Sequence, residues 1–422
     1  MTPEEQRIIE SVEACREEIV DFASRLVAQP SVLGQERSAV QVMDQELARL
    51  GWSPKRVTID PELLSGHPGF APVPWSYEGK ENVVAVRPAD QTGGRSLLFN
   101  GHLDVVSAEP VEFWDLDPFE PRVDNGWLCG RGAGDMKSGV AAMTYALHAV
   151  ERAGFGLRAP VTVEGVIEEE CTGNGALACL QAGHDAEAVL IPEPFGPTVL
   201  TNQVGVLWFK VTVKGMPTHV QSAPAGTNAV EKSFALISAL RDLEARMNDD
   251  AFPQDYAGMS HPLNLNIGIF QGGDWPSTVP AQASFHGRLS YFPGIEFAQA
   301  SQWVQATIDS IASHDPWLLN NPPRVEFYGF RSDGHSADPH LPAFDLLRAC
   351  HRDLHGRDPK DYISTCTTDL RSFVHFGKGQ ATCYGPVAEH IHGTNERVSI
   401  ESVMDTARAY ALFAARWCGI SS

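Results

Sequence analysis

The sequence predicts an α/β protein with a mixed, mostly parallel sheet flanked by helices, interrupted by a smaller α+β insertion. Short apolar runs alternate with segments of helical periodicity up to about residue 205, and the alternation resumes after residue 336, which is typical of a sheet with helices on both faces. Near residue 206 the pattern changes, because VLWFKVTVKG alternates apolar and polar positions like a half-exposed antiparallel strand. A chain of 422 residues also exceeds the usual size of one hydrophobic core.

The elements of the first part follow from the spacing of its apolar residues. Residues 4–28 and 36–50 have helical spacing, and a further helix is predicted over 138–153. GNGALACLQAG is predicted to form a short helix. The runs predicted as buried strands are ENVVAV, SLLFNGHLDVV, PVTVEGVIEEE and AEAVLIPEP.

The insertion is predicted to be a small sandwich of ferredoxin-like type. After the strand at 206, the elements expected in order are a helix at 226–248, strands at 262–271 and 281–290, a helix at 295–313 and a strand at 324–330. We therefore divide the chain into one domain formed by residues 1–205 and 331–422, and an inserted domain of residues 206–330.

Composition excludes several classes of function. The chain has 53 acidic and 32 basic residues, a net charge of −21, and both nucleic acids and anionic membranes require basic surface. No apolar run is long enough to span a bilayer, and MTPEEQRIIESVEACREE does not resemble a secretory signal. The eight cysteines form no CxxC pair, so we expect free thiols and a cytoplasmic location.

Histidines and carboxylates recur where the predicted strands end. In GHLDVV, a strand ending in His-x-Asp places His102 and Asp104 on one face, so His102 can bind a metal while Asp104 orients it. In GRGAGDMKSG, Asp135 lies at a glycine-rich turn before a helix, where it could either cap the helix or bridge two metals.

Three further segments repeat this arrangement. VIEEECTGNG ends a buried-looking strand with three adjacent carboxylates, which need a positive charge if they are buried. IPEPFGP carries Glu193, and EHIHGTNERV carries His390 and His392, of which His392 is the preferred ligand. A set of two histidines and three carboxylates suits zinc, with manganese or cobalt as alternatives.

Taken together, these motifs resemble the dinuclear metallo-deacylases and exopeptidases that include acetylornithine deacetylase, succinyl-diaminopimelate desuccinylase, aminoacylase and glutamate carboxypeptidase. The motifs that carry the resemblance occur in the family's order: GHLDVV, WDLDPFEP, GRGAGDMKSG, EEECTGNGA, GDWPSTVP and HGTNERV. The resemblance covers nearly the whole chain. It implies a zinc-exopeptidase-like catalytic domain with an inserted lid and dimerisation domain, hinged near 204–206 and 330–336.

The resemblance also implies a role for individual residues of the metal site. One of two divalent metal ions would be bound by His102, Asp135 and Glu193. The other would be bound by Asp135, Glu170 and His392, with Asp135 bridging the two.

Other residues are assigned catalytic or substrate-binding roles by the same resemblance. Glu169 matches the general base and Asp104 the acid behind His102, while His219 matches a histidine that stabilises the oxyanion, in several members from the partner subunit. Arg288 looks like the arginine that binds a substrate carboxylate, and Asn266 is a possible pocket residue.

At two positions this chain departs from the family's pattern. Glu168 stands where many members have Asp, and a WPST stretch replaces an Asn near the V-P of the insertion, which affects expected substrate contacts. Thr368, Asp369 and Arg371 could line the pocket or serve a structural role.

The predicted function is therefore hydrolysis of a linear amide, an N-acyl amino acid or related N-acyl amine, by a metal-activated water and a glutamate base. The predicted assembly is a homodimer formed through the inserted domain. Alternatives are a dipeptidase or carboxypeptidase, or an N-formyl amide deformylase, of the same family. A catalytically silent binding protein is a remote alternative, because such a protein would be expected to lack a ligand or the base.

Overall fold

The computed structural model describes residues 1–249 and 252–421, in which two sheets dominate the architecture. The larger sheet has six strands, in the spatial order β1 (Lys55–Thr58), β2 (Glu81–Arg87), β7 (Val161–Val166), β3 (Leu97–His102), β8 (Ala188–Ile191) and β16 (Gln380–Cys383). The last four of these are mutually parallel, and only β2 runs against its neighbours. The predicted, mostly parallel sheet is confirmed.

Helices cover both faces of this sheet and share one apolar core with it. They are α1 (Pro3–Ala14), α2 (Arg16–Val27), α3 (Arg37–Arg49), α4 (Pro61–Leu64), α5 (Ser138–Arg152), α6 (Asn174–Gln181), α9 (Pro342–His355), α10 (Leu370–Phe376) and α11 (Ile400–Cys418). None of the helices in the described ranges is long and apolar enough to cross a membrane.

The single helix expected over residues 4–28 is wrong, because the chain leaves the helical conformation at Cys15 (φ −92°, ψ 2°). Both α1 and α2 pack on α5, but the break lets α1 also pack on α11 and α2 on α3. Periodicity alone could not reveal this, since the helical spacing continues across residue 15.

The second sheet is antiparallel, in the spatial order β11 (Leu265–Gly272), β12 (Gln282–Tyr291), β10 (Gly205–Lys214) and β13 (Arg324–Ser332). Helices α7 (Ala229–Asp249) and α8 (Phe297–His314) pack with it around a separate apolar core. The chain order β-α-β-β-α-β is that of a ferredoxin-like unit. These elements agree with the ones that the sequence predicted for the insertion.

Three small sheets were not predicted, and all of their strands except β9 have only 2–5 residues, too few to carry a periodic signal. They comprise β9 (Thr198–Gln203) with β14 (His335–Ser336) and β15 (Lys360–Ser364); β4 (Arg122–Asp124) and β5 (Trp127–Cys129) with β17 (Ala388–Glu389) and β18 (Arg397–Ser399); and β6 (Gly156–Leu157) with β19 (Ile420–Ser421). The pairing of β18 with β5 brings the turn that precedes residue 397 next to the glycine-rich loop that follows residue 129.

Two predicted strands end earlier than expected. Strand β3 stops at His102, whose partner Val166 is the last residue of β7, so Asp104 and the carboxylates at 168–170 lie in the turns beyond the strands. The expectation that His102 and Asp104 share one face of a strand is therefore wrong. Contacts between these turns, rather than strand alternation, decide where the two side chains lie.

Candidate metal centre

Four candidate side chains lie where parallel strands of the larger sheet end. His102 ends β3, Glu169 and Glu170 occupy the turn after β7, and Glu193 follows β8. The carboxyl ends of parallel strands meet at one edge of a sheet, which is where α/β proteins build their sites.

Asp135 lies between the two histidines that the sequence singled out. Its Oδ1 atom is 3.0 Å from His102 Nε2, and its Oδ2 atom is 3.4 Å from His392 Nε2. His392 Nε2 is also 3.1 Å from the Glu170 carboxylate. One ligand atom each from His102, Asp135 and Glu170 lies within 4.8 Å of the others, so one carboxylate connects two imidazoles and a second acid.

Glu193 provides the test of whether a cation fits this cluster. Its side chain is 4% exposed, and among the described residues no hydrogen bond reaches its carboxylate. Burial and the nearby Asp135 carboxylate raise the pKa of Glu193 well above its usual range. Burial likewise raises the pKa of Glu169, although the Arg371 guanidinium opposes it. A buried carboxylate without a partner is costly, so this donor set fits metal ions.

Asp104 supports the cluster through the backbone. Its two carboxylate oxygens accept hydrogen bonds from the amides of Glu169 (3.2 Å) and Glu170 (3.1 Å). Its carbonyl oxygen lies 2.9 Å from His102 Nδ1, whereas its carboxylate is 3.8 Å from that nitrogen. Asp104 thus orients His102 chiefly through its carbonyl and holds the carboxylate-bearing turn with its side chain.

An ion pair that the sequence analysis did not identify fixes the loop of Asp135. Arg131 Nη1 donates to Glu396 at 2.5 Å, and both side chains are buried. Glu396 also accepts from the amides of Gly132, Gly134 and Asp135 at 2.8–3.1 Å. The available signal was a charged residue within each of two glycine-containing motifs, but nothing in the sequence pairs residues so distant along the chain.

The face of the second sheet opposite α7 and α8 carries the two predicted substrate-binding residues. Arg288 on β12 lies between Trp208 on β10 and Asn266 on β11, as direct cross-strand partners. Arg288 makes no hydrogen bond or ion pair among the described residues, and burial lowers the pKa of its guanidinium.

His219 lies elsewhere. It is exposed at the start of a short 3₁₀ helix, where its Nδ1 atom accepts from the amide of Gln221 at 3.1 Å. Within the described ranges no hydrogen bond or ion pair joins His219 to the carboxylate cluster. A single chain therefore does not bring this predicted catalytic residue to the other site residues.

The residues at 368–371 are buried, and the polar contacts of Arg371 are with residues inside the protein. Arg371 Nη1 donates to Thr368 O at 2.9 Å and lies 3.4 Å from Glu169 Oε1. Asp369 Oδ1 is 3.4 Å from Arg371 Nη2. Arg371 therefore contacts Glu169 directly, which sequence spacing did not indicate.

Comparison with known proteins agrees with this arrangement. Residues 98–416 match the model of peptidase family M20/M25/M40. The chain is 27% identical over 372 residues to N-formyl-4-amino-5-aminomethyl-2-methylpyrimidine deformylase of Bacillus subtilis, covering 83% of this chain and 86% of the relative. It is 26% identical to succinyl-diaminopimelate desuccinylase of Phenylobacterium zucineum, covering 94% and 98%.

Solved structures share the fold. The di-peptidase Dug1p of Saccharomyces cerevisiae superposes with a TM-score of 0.80 at 14% identity, covering 99% of both chains. The YXEP protein of Bacillus subtilis, described as a dinuclear metal binding peptidase, has a TM-score of 0.58 at 16% identity, covering 96% of this chain and 99% of that one. Because the family model matches most of the chain, the protein belongs to peptidase family M20/M25/M40 and is an amide-hydrolysing enzyme of that family.

Proposed function

We propose that the protein is a dinuclear metal-dependent deacylase that hydrolyses the amide bond of an N-acyl amino acid or a related N-acyl amine. The observation that carries this proposal is the cluster in which Asp135 contacts both His102 and His392, while the buried Glu193 carboxylate accepts no hydrogen bond from the described residues. A cluster of carboxylates and imidazoles at a strand edge suits divalent metals that activate water.

Five residues would hold the two metals. His102, Asp135 and Glu193 would bind one ion, and Asp135, Glu170 and His392 would bind the other. Nitrogen and carboxylate ligands favour zinc, with cobalt and manganese as the other candidates. When bound, the two ions would lower the pKa of a water molecule and polarise the scissile carbonyl.

The protein's own groups would carry the protons. Glu169 would accept a proton from the attacking water while the water oxygen bonds to the carbonyl carbon. Glu169 would then donate that proton to the amine nitrogen as the C–N bond breaks. The products are a carboxylic acid and an amine. The buried, raised-pKa environment of Glu169 suits a group that must both accept and release a proton.

Arg288 would bind a carboxylate of the substrate. This guanidinium makes no ion pair among the described residues, and burial lowers its pKa. A partly buried arginine without an acidic partner among these residues is an arrangement that an anionic ligand would neutralise. This favours an acylated amino acid over an uncharged amide.

We also infer that residues 206–330 form a lid and dimerisation domain. Strand β11 is an edge strand, and it exposes Ile269 and Phe270, with the exposed Phe234 of α7 stacked 6.5 Å from Phe270. An open edge with apolar side chains favours pairing with another chain. Dimerisation would also explain how His219 reaches a site that it does not contact within one chain.

The cysteines support a reducing, cytoplasmic location for this enzyme. All eight are free thiols, and six of them are buried. Free thiols are typical of proteins from reducing compartments.

A substrate panel tests this proposal. With zinc, cobalt or manganese added, we expect hydrolysis of N-acetyl, N-formyl or N-succinyl amino acids, measured as amine release. Arg288→Ala should raise KM by about 10–100-fold for a substrate with a free carboxylate, the scale of losing a charged hydrogen bond. The corresponding carboxamide serves as the control, and its kcat/KM should not change. Two bound metals with no hydrolysis of any amide would favour a binding protein instead.

A second candidate is deformylation of an N-formyl amine. The 27% identity to a pyrimidine deformylase over 83% of the chain supports it. The WPST stretch also replaces the Asn that was expected to contribute to substrate contacts. Activity restricted to N-formyl substrates that lack a carboxylate would select this function over deacylation of amino acids.

His219 should act from the partner subunit. His219→Ala is expected to lower kcat by about 10²–10³-fold, as for loss of an oxyanion donor, with metal content unchanged. When the His219→Ala and Glu169→Ala proteins are mixed and reassociated, half of the dimers should be hybrids, and each hybrid should have one of its two sites intact. The mixture should therefore recover about a quarter of wild-type activity. Each variant mixed with itself is the control. No recovery in hybrids of verified composition would contradict action in trans.

A further inference from the structure

The carboxylate of Glu168, the residue before the proposed base, is completely buried and is bound by four side-chain donors. Trp75 Nε1 and Lys80 Nζ lie 2.8 and 2.6 Å from its Oε1 atom. Tyr77 OH and Thr172 Oγ1 lie 2.8 and 3.0 Å from its Oε2 atom. Hydrogen bonds to a charged acceptor are stronger than neutral ones, so Glu168 fixes these donors relative to its own turn.

Three of the donors belong to one segment, residues 71–80, which has no regular secondary structure. The start of this segment is bound to helix α6. Asn174 Oδ1 accepts from Ala71 N at 3.0 Å, and Asn174 Nδ2 donates to Ala71 O at 2.8 Å and to Tyr77 OH at 2.7 Å. The segment is therefore attached at both ends to the chain that surrounds the carboxylates at 168–170.

The same segment also contacts the second sheet. Gly329 N in β13 donates to Pro72 O at 3.0 Å. A Cβ atom at Gly329 would lie 3.1 Å from Cys171 O and 2.6 Å from the Trp208 ring, so β13 passes directly over the turn after β7. The 71–80 segment thus joins the second sheet to the turn that carries the proposed base.

The backbone of that turn needs external support. Glu168 has φ 67°, in the left-handed region that residues with a side chain seldom adopt. Such conformations persist only where the surroundings hold them. On the following side, the Asp104 carboxylate binds the amides of Glu169 and Glu170. Glu168 with its four donors holds the preceding side.

We propose that Glu168 is a positioning residue, which anchors the 71–80 segment and thereby sets the orientation of Glu169. The inference rests on the proposed role of Glu169 as the base. Without the anchor, the turn can relax from its left-handed conformation, and the Glu169 carboxylate moves from its place beside the reacting water. Small displacements of a reacting group lower turnover without preventing substrate binding.

The test compares two substitutions at this position, at saturating metal and with an N-acetyl or N-formyl amino acid as substrate. Glu168→Gln keeps the size but replaces a charged acceptor, so kcat should fall by about 10–100-fold, with KM within about twofold of wild type and two metals bound. Glu168→Asp keeps the charge and should recover most of the lost kcat. A merely structural role would lower the melting temperature and leave kcat per metal-loaded enzyme unchanged.

Two milder variants keep the proposal testable if Glu168→Gln does not fold. Trp75→Phe replaces the indole by a smaller ring without the N–H donor, and Tyr77→Phe keeps the ring but removes a hydroxyl that donates to Glu168 and accepts from Asn174. Each should lower kcat by about 3–10-fold, the scale of a lost hydrogen bond. Trp317→Phe is the matched control, since its indole donates to the Lys214 carbonyl, away from the site, and its kcat should not change.

The outcomes separate this inference from the proposed function. If Glu168→Gln keeps wild-type kcat while Glu169→Ala is inactive, the positioning role of Glu168 is overturned and the role of Glu169 as the base is not. Equal losses of kcat in Glu168→Gln and Glu168→Asp also overturn it. Aspartate keeps the negative charge, so an equal loss in both variants does not come from removing that charge. An active Glu169→Ala contradicts the proposed base instead.

Discussion

Replacing Glu169 by alanine should leave both metal ions bound while lowering kcat by about 10²–10⁴-fold, the usual contribution of a general base. Glu169 is not among the five proposed ligands, and its carboxylate is buried next to them, 3.4 Å from Arg371 Nη1. The loss should fall on kcat rather than on KM, because the base acts on water and not on the bound substrate.

The measurement is metal content by elemental analysis together with steady-state kinetics on the best substrate of the panel. Glu62→Gln removes an exposed carboxylate of α4 and serves as the control that should keep wild-type kinetics. Near-wild-type turnover in Glu169→Ala would exclude it as the base. Loss of metal in this variant would instead make it a ligand.

Replacing Asp135 by asparagine should leave at most one metal ion bound per chain and lower kcat/KM by at least about 10³-fold, the scale of losing a main electrostatic stabiliser of the transition state. Both oxygens of Asp135 are engaged, one by His102 and the other by His392. An amide presents only one oxygen acceptor, so it cannot bridge two ions.

Elemental analysis and titration of the metal-free protein with Zn²⁺ would count the sites. Asp242→Asn, at an exposed position of α7, is the control and should bind two ions. If Asp135→Asn also binds two ions with unchanged affinity, Asp135 does not bridge them.

Much of the α/β architecture could be predicted from periodicity. The short helix at 174–181 and the strand at 188–191 lie where they were expected, because apolar spacing records which face of an element is buried. The four strands and two helices of the second sheet were also expected, since half-exposed strands alternate visibly. The break at Cys15 was not expected, because it arises from packing against two different helices.

For the candidate site, too, the sequence indicated individual residues but not their partners in space. His102, Asp135 and His392 could be indicated from the sequence because each lies in a glycine-containing motif, whereas the choice of Glu170 among three adjacent carboxylates came from the resemblance. The structure brings these four residues together. The partners that hold them could not be named in this way. Nothing local in the sequence pairs Trp75 or Lys80 with Glu168, or Glu396 with Arg131, since these partners lie about 90–265 positions apart along the chain.

The sequence by itself determined the family, the alternation of strands and helices, and which acids and histidines occur where strands end. These are local properties, recorded in spacing and in short motifs. Only the tertiary structure decided that Asp135 lies between two imidazoles, that Arg288 has Trp208 and Asn266 as its cross-strand neighbours, and that His219 stays apart from the cluster. The physical reason is that burial and charge pairing depend on distances between segments, which the order of residues does not contain.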